Sequence, residues 1–536
     1  MTTTTVERKN GGQGGAQRPG LLHALPRLAP LAAAAAALLA SPACRADWRF
    51  EPSLNLTETY TDNVDLRPND QARTQLVTEV APAFNLALDS RRLKASAHGS
   101  YRQFLYSDPD EVRSRNDHYS QYGGDLRGIL AEDLLYVDAR VSSSQRNVSA
   151  FGPQVAGSPY SSLNRTEVKT WSISPYLVQR IGNEARAVLR YSRDGVKSDQ
   201  RSRFGDSIAD SVTLNLDSNP DGRKLGWGLN YLHQDIQNEL AGESSVENVS
   251  GRLRYSLIHS LALTATAGYD RYDYQALGGR TAGRNWSTGF AWTPSQRTSI
   301  EASVGRHFYG STGSLAASVR SRRTVWSVNY SDSITSGRQE FSLPSTIDTA
   351  ALLDQMLLSS IPDPAQRQLA VAAYMRAAGL PPSLADSVNY LTNRYMRQKL
   401  LQGSAAFRGL RNSAVLSIYA SERTALSSEE SDSALLGGQL ASLNDNVRQR
   451  GASATWTYRM NARSNFSATA NYNHSESLTT GFEDRQRLLR AAFDTRLSRY
   501  LTGTVELRRR AGGTGLFGPA RDYTEHAIAA TLTMKL

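Results

Sequence analysis

Arginine supplies most of the polar chemistry of this 536-residue chain: 54 of its 61 cationic side chains are guanidinium groups, set against 50 carboxylates. A guanidinium is always charged and hydrogen-bonds carboxylates, phosphates and hydroxyl-rich polymers in pairs. A net charge of +11 therefore suits an anionic or hydroxyl-rich partner, or else records a GC-rich genome and nothing more. Catalytic groupings are absent. The histidines (His23, His98, His118, His233, His259, His307, His474 and His526) are scattered, with no His-x-x-x-His or Glu-x-x-His spacing for a metal. There is no Gly-x-Ser-x-Gly elbow and no phosphate-cradling glycine loop. Asp117-His118 and Glu525-His526 come nearest to a hydrolase pair, but adjacent residues on a strand point to opposite faces. The sequence assigns no catalytic residue, no metal and no cofactor, and the chain reads as a non-enzyme.

The arginines sit within a pattern that runs from about residue 47 to Leu536. Segments of roughly ten residues carry apolar side chains at every second position and are separated by turns. Clear copies are Leu76 to Leu86, Trp171 to Leu177, Leu225 to Tyr231 and Leu261 to Tyr269. Mean hydropathy is −0.45, and only 40% of residues are hydrophobic. No apolar run is long enough for a transmembrane helix. A transmembrane antiparallel β-barrel reconciles these facts, because it needs only alternate residues to be apolar. A soluble propeller does not explain why short turns alternate with long ones. The short ones are Asp89-Ser90-Arg91, Ala131-Glu132-Asp133, Gly182-Asn183-Glu184, Asn219-Pro220-Asp221-Gly222, Asn412-Ser413 and Asn461-Ala462. The long ones, 61–72, 107–116 and 145–164, fall on the extracellular side if the first strand rises from the periplasm. Counting to the C-terminus predicts about 22 strands, within a range of 18 to 22. Ala530 to Leu536 alternates to the last residue, as outer-membrane barrels do, with Leu536 where an aromatic is usual.

Residues 1–46 differ in kind. Arg8, Lys9, Arg18 and Arg27 precede an apolar stretch from Leu28 to Ala40 and a small-residue exit ending Ala43-Cys44-Arg45-Ala46. This is the form of a secretory signal peptide, cleaved after Ala46 or, as second choice, Ala43. Cys44, the only cysteine, sits in a poor lipobox; cleavage after Ala46 leaves a thiol-free barrel over 47–536, suited to an oxidising periplasm. One stretch breaks the strand pattern. Residues 334–386 turn helical, with Asp363-Pro364-Ala365-Gln366 as an N-terminal cap and Gly379 and Pro381 as the close. The strand count puts this insert at the extracellular mouth, as a surface loop or as a lid or inward-folded plug.

Parity then separates the faces. Leu135, Val137 and Ala139 toward lipid place Asp138 and Arg140 in the lumen. By the same rule Arg186, Arg190, Arg252, Arg254, Glu506 and Arg508 line it. A charge on the lipid face costs roughly 2–4 kcal/mol at the bilayer midplane, which pins these parities. Such residues either form structural ladders across the lumen or a track for an anionic or hydroxyl-rich chain. Tyr60, Tyr191, Tyr231, Tyr269, Tyr330 and Tyr472 fall on the lipid parity at the outer ends of rising strands, where an aromatic girdle belongs.

Several segments resemble a family of outer-membrane barrels associated with the PEP-CTERM/exosortase system of Gram-negative bacteria. They are Glu58-Thr59-Tyr60-Thr61-Asp62-Asn63, Ser174-Pro175-Tyr176, Phe308-Tyr309-Gly310, the run from Arg320 to Trp326, the insert and Leu391-Thr392-Asn393-Arg394. The resemblance implies an outer-membrane location near exopolysaccharide export and brings no site residues. The expected partners are outer-membrane lipid and lipopolysaccharide, a polysaccharide chain and periplasmic export proteins, with no role for nucleic acid. The expected function is a conduit or accessory for exopolysaccharide export. The alternatives are a general porin or small-solute channel, and a structural or adhesive barrel.

Overall fold

The computed structural model describes residues 47–108, 116–154, 160, 164–198, 206–218, 224–239, 242–274, 280–342, 353–354, 367, 371, 390, 392–427, 438–513 and 521–536. The expected signal peptide of 1–46 and nearly all of the insert's expected helices lie outside the described residues. Twenty-two antiparallel strands form one closed barrel. The first are β1 (Asp47–Thr61), β2 (Gln75–Asp89), β3 (Leu93–Tyr106), β4 (His118–Ala131), β5 (Leu135–Arg146), β6 (Thr166–Ile181), β7 (Ala185–Ser198) and β8 (Ser207–Ser218). Next come β9 (Leu225–Asn238), β10 (Gly242–Ile258), β11 (Leu261–Asp273), β12 (Ala282–Ser295), β13 (Thr298–His307), β14 (Gly310–Arg320) and β15 (Thr324–Ser336). The ring is completed by β16 (Tyr395–Arg408), β17 (Asn412–Ala425), β18 (Val447–Arg459), β19 (Ser464–Ser477), β20 (Glu483–Arg496), β21 (Leu501–Gly513) and β22 (Asp522–Lys535).

Each strand pairs with its sequence neighbours, and β1 pairs with β22 from Ser53↔Lys535 to Thr61↔Ala527. The closed ring pairs its backbone donors internally, so it can stand in hydrocarbon without an exposed edge. The periplasmic turns are tight. Gly182, between β6 and β7, has φ +53°, a left-handed conformation that disfavours a Cβ.

The barrel's outside is apolar and exposed: Trp48, Phe50, Leu56, Leu189, Leu253, Phe290, Trp326, Leu416, Leu489, Leu507 and Ile528 all stand on it. Around a closed barrel such a belt is satisfied by lipid, and the protein is an outer-membrane barrel of the Gram-negative type.

The expected insert boundary of 334 needs correction. Strand β15 continues through Ser336, and helix begins at α1 (Gly337–Ser342). The alternation persists there because Ile334 and Thr335 still have faces to fill. A second short helix, α2 (Gly438–Asn444), sits between β17 and β18. At seven residues it is too brief for a helical period to register in the sequence.

Candidate functional site

The candidate site is the lumen and the segments folded across its outer mouth. Thr59 fixes the inside, because the Tyr160 hydroxyl from the β5–β6 connection donates to its Oγ1 at 2.8 Å. The described residues of 147–165, nearly all within the 145–164 connection expected to be a long extracellular loop, turn inward. The Ser149 hydroxyl donates to Asn444 Oδ1 at 2.9 Å, and the Gly152 amide donates to Asp484 Oδ2 on β20 at 2.8 Å. Asn164 locks the turn: its Oδ1 accepts the Ser149 amide, and its Nδ2 donates to the carbonyls of Ser149 and Phe151. Gly152 has φ 81°, so the bend that presents its amide to Asp484 favours glycine. Burial pushes the Tyr160 phenol up to about 12, which keeps it a neutral donor.

The insert approaches from the other side. Ile334 and Tyr395 belong by register to the outward face, yet they are buried with Val246 from β10, and Tyr272 from β11 packs on them. The hairpin of β13 and β14 between them is low, turning at Phe308-Tyr309. The tips of β15 and β16 therefore lean over the lumen, and the Tyr395 hydroxyl lies 3.1 Å from Ser244 Oγ of β10. Just beyond the strand, Arg338 on α1 reaches Asp194 on β7 at 2.5 Å and also bonds Ser207 of β8. Burial draws the Arg338 guanidinium below its ordinary pKa, while the Asp194 carboxylate opposes that shift.

The two inward segments meet. Asn147 bridges Tyr390, whose hydroxyl donates to the Asn444 carbonyl at 3.2 Å. Ala150, Phe151, Tyr390, Met396, Leu443 and Val447 form a buried cluster, with Phe482 edge-on to Phe151. This is a packed core, built where a porin-like mouth would be wet. Arg394 anchors its base by donating to the Ser427 carbonyl and pairing with Asp445.

Below the cap, the wall residues expected in the lumen share one face by register. Arg140 pairs with Asp125 at 2.6 Å, and Asp138 takes Arg127 at 3.2 Å and Arg190 at 3.1 Å. The Arg190 guanidinium also lies 4.1 Å from the Tyr176 ring centroid, and Tyr176 stacks on Tyr136. Arg186 stands opposite Asp217, and Asp217 pairs with Arg252 at 3.2 Å. Arg254 projects into the lumen one step nearer the periplasm, opposite Gly226 and Thr264. On the far wall Glu506 binds Arg490 at 2.6 Å and Arg508 at 3.7 Å, and Arg508 also binds Glu525 at 2.9 Å. Sequence reasoning missed Glu525 and Arg510, which extend this network, and Asp484, whose carboxylate accepts from the Gln486 amide. Alternation around Ala527 and Ala529 was the signal that could have found Glu525.

Tyr60, Tyr191, Tyr269 and Tyr472 are exposed on the outer face. Tyr231 pairs in register with outward Leu214 and Val249, and Tyr330 with outward Leu315 and Leu401. Glu525 and His526 point to opposite faces, the histidine bonding Asp62 outside at 2.9 Å. Among the described residues there is no cluster of three or more His, Cys, Asp or Glu that could hold a metal.

No family model and no curated protein matches the chain. Solved structures with a similar outline include the FrpB iron transporter from Neisseria meningitidis (F5-1 variant; TM-score 0.48, 9% identity, covering 91% of this chain and 82% of that one). The siderophore receptor PirA from Acinetobacter baumannii is similar at TM-score 0.47 and 9% identity, over 91% and 80% of the two chains. A mutant of the ferric enterobactin receptor from Pseudomonas aeruginosa, in complex with enterobactin, follows at TM-score 0.44 and 11% identity, over 91% and 81%.

Proposed function

We propose that the protein is a gated outer-membrane conduit for an extended hydrophilic polymer, and that the polymer is an exopolysaccharide leaving the cell. One observation carries the gated part: two segments far apart in sequence fold inward and are stitched together across the mouth, above a wall lined with exposed charge. A lid that only shielded the surface has no need of a buried ion pair reaching β7 and a buried amide–carboxylate hydrogen bond reaching β20. The choice of cargo is supported by the family resemblance and by a lumen of guanidinium, carboxylate and hydroxyl groups, which can exchange hydrogen bonds with a sliding chain. Delivery of that chain to the lumen calls for periplasmic export proteins at the lower rim.

Planar-bilayer recording tests the gate. The intact barrel is expected to be silent, and removal of 338–392 to open it. A steady open pore in the intact protein instead favours a small-solute channel, and silence in both forms favours a structural or adhesive barrel. For the cargo, a strain lacking the protein is expected to accumulate polymer in the periplasm; normal capsule in that strain would falsify the export reading.

A further inference from the structure

On the lipid side, β17 to β22 with β1 form a shallow groove of about 780 Å3, within the roughly 300–1,000 Å3 common for ligand sites. Its floor consists of small side chains, Ala414, Ala454, Ala468, Ala470 and Ala491, and its ridges include Leu416, Trp456, Leu489, Leu507 and Ile528. Register places all of these on the outward face. Here a band of alanines lowers that face. Tyr60, Asp62, Arg509 and His526 close the groove at its outer end.

Just above lies a row of outward cations. Arg450, Arg487 and Arg509 are exposed, three to four residues inside the outer ends of β18, β20 and β21. Arg487 lies opposite Tyr472, and Arg509 opposite His526. Among the described residues none of the three arginines has a carboxylate partner. One step further out, by contrast, Arg448 is paired with Glu422 and Glu476, and Arg485 with Glu483. Arg487 and Arg509 are diagonal neighbours, and Arg450 stands two strands away from Arg487, or roughly 10 Å at the usual strand spacing. That separation serves two anionic groups rather than one. Free guanidinium groups on a lipid-facing wall call for phosphate at headgroup depth, since a fork of N–H donors matches phosphate oxygens two at a time.

We infer that this sector binds a bisphosphorylated, multiply acylated glycolipid of the outer leaflet, with its phosphates on Arg450, Arg487 and Arg509 and acyl chains in the alanine groove. The assignment is independent of the cargo and of the gate. The test uses the full-length barrel reconstituted in phosphatidylethanolamine vesicles doped with lipid A or, separately, with phosphatidylglycerol. The barrel is extracted in mild detergent, and retained lipid per barrel is counted by mass spectrometry. Two variants address the two halves of the site: R450S/R487S/R509S removes the charge, and A468L/A491L fills the groove. Heat-modifiable gel migration checks that each is folded, and R487S alone replaces the triple variant if that one is not. The wild type is expected to retain lipid A over phosphatidylglycerol, and each variant to retain about tenfold less, the effect of losing a charge-assisted hydrogen bond or its equivalent in contact area. Equal retention in wild type and variants overturns the assignment, as does loss in only one variant or equal retention of phosphatidylglycerol.

Discussion

The lumen wall from β3 to β10 and the wall from β16 to β22 are written in the same alternating pattern, yet they meet different surroundings. On the first, the charged pair in the middle of the wall stands in water: the Arg252 and Asp217 side chains are 64% and 56% exposed. On the second, inward Gln402 is 1% and Ser417 0% exposed, and Ser453, Asp484 and Glu525 are likewise buried. Alternation decides which way a residue points. What it meets there is decided by the segments between strands, which reach Asp194 and Ser207 on the first wall and Asp484 on the second. The energetics differ accordingly. Exposed pairs contribute about 0–1 kcal/mol, whereas a buried charge deprived of its partner costs several.

Breaking one of the stitches across the mouth is expected to have the largest effect. Asp194→Ala leaves the buried Arg338 guanidinium without its carboxylate, at a cost of about 3–5 kcal/mol to the closed mouth. Single-channel recording should then show openings that the wild type lacks; an unchanged silent barrel argues that the β7 contact does not hold the gate. Phe151→Ala removes the centre of the mouth cluster and should lower its stability by roughly 3 kcal/mol or more, read as a drop in the melting temperature of the detergent-solubilised barrel. A smaller effect is expected for Asp484→Asn, which weakens the acceptor for Gly152 by about 1.5–3 kcal/mol. Limited proteolysis within 147–165 is the measurement, and full protection would place the loop's anchorage elsewhere. The mildest change belongs to the water-filled wall. Arg252→Ala should alter stability by no more than about 1 kcal/mol, while shifting the ion preference of a barrel opened by deleting 338–392 toward cations. A large loss of stability there would erase the contrast between the two walls.

Strand number and the closed antiparallel barrel were legible in the sequence because the alternation that marks each strand is local. A one-residue slip would put Arg252 or Glu506 into lipid, and the chain cannot tolerate that. The inward course of the described residues of 147–165 was not legible. Its direction depends on Asn444 and Asp484, roughly three hundred residues away, and a loop rich in Ser, Gly and Pro carries no period. Phe151 and Tyr160 were the available hint, since large rings have little reason to stand in an extracellular loop. The leaning tips of β15 and β16 escaped for a related reason: Ile334 and Tyr395 keep outward parity but find protein where lipid was expected.

The stitches join positions 101, 295 and 332 residues apart. The last two cannot form until strands from both ends of the polypeptide have been inserted and brought together, since distant contacts come only after the intervening chain is ordered. The newly assembled ring therefore passes through an uncorked stage before it matures. Cells making this protein should be transiently leaky in proportion to its rate of synthesis.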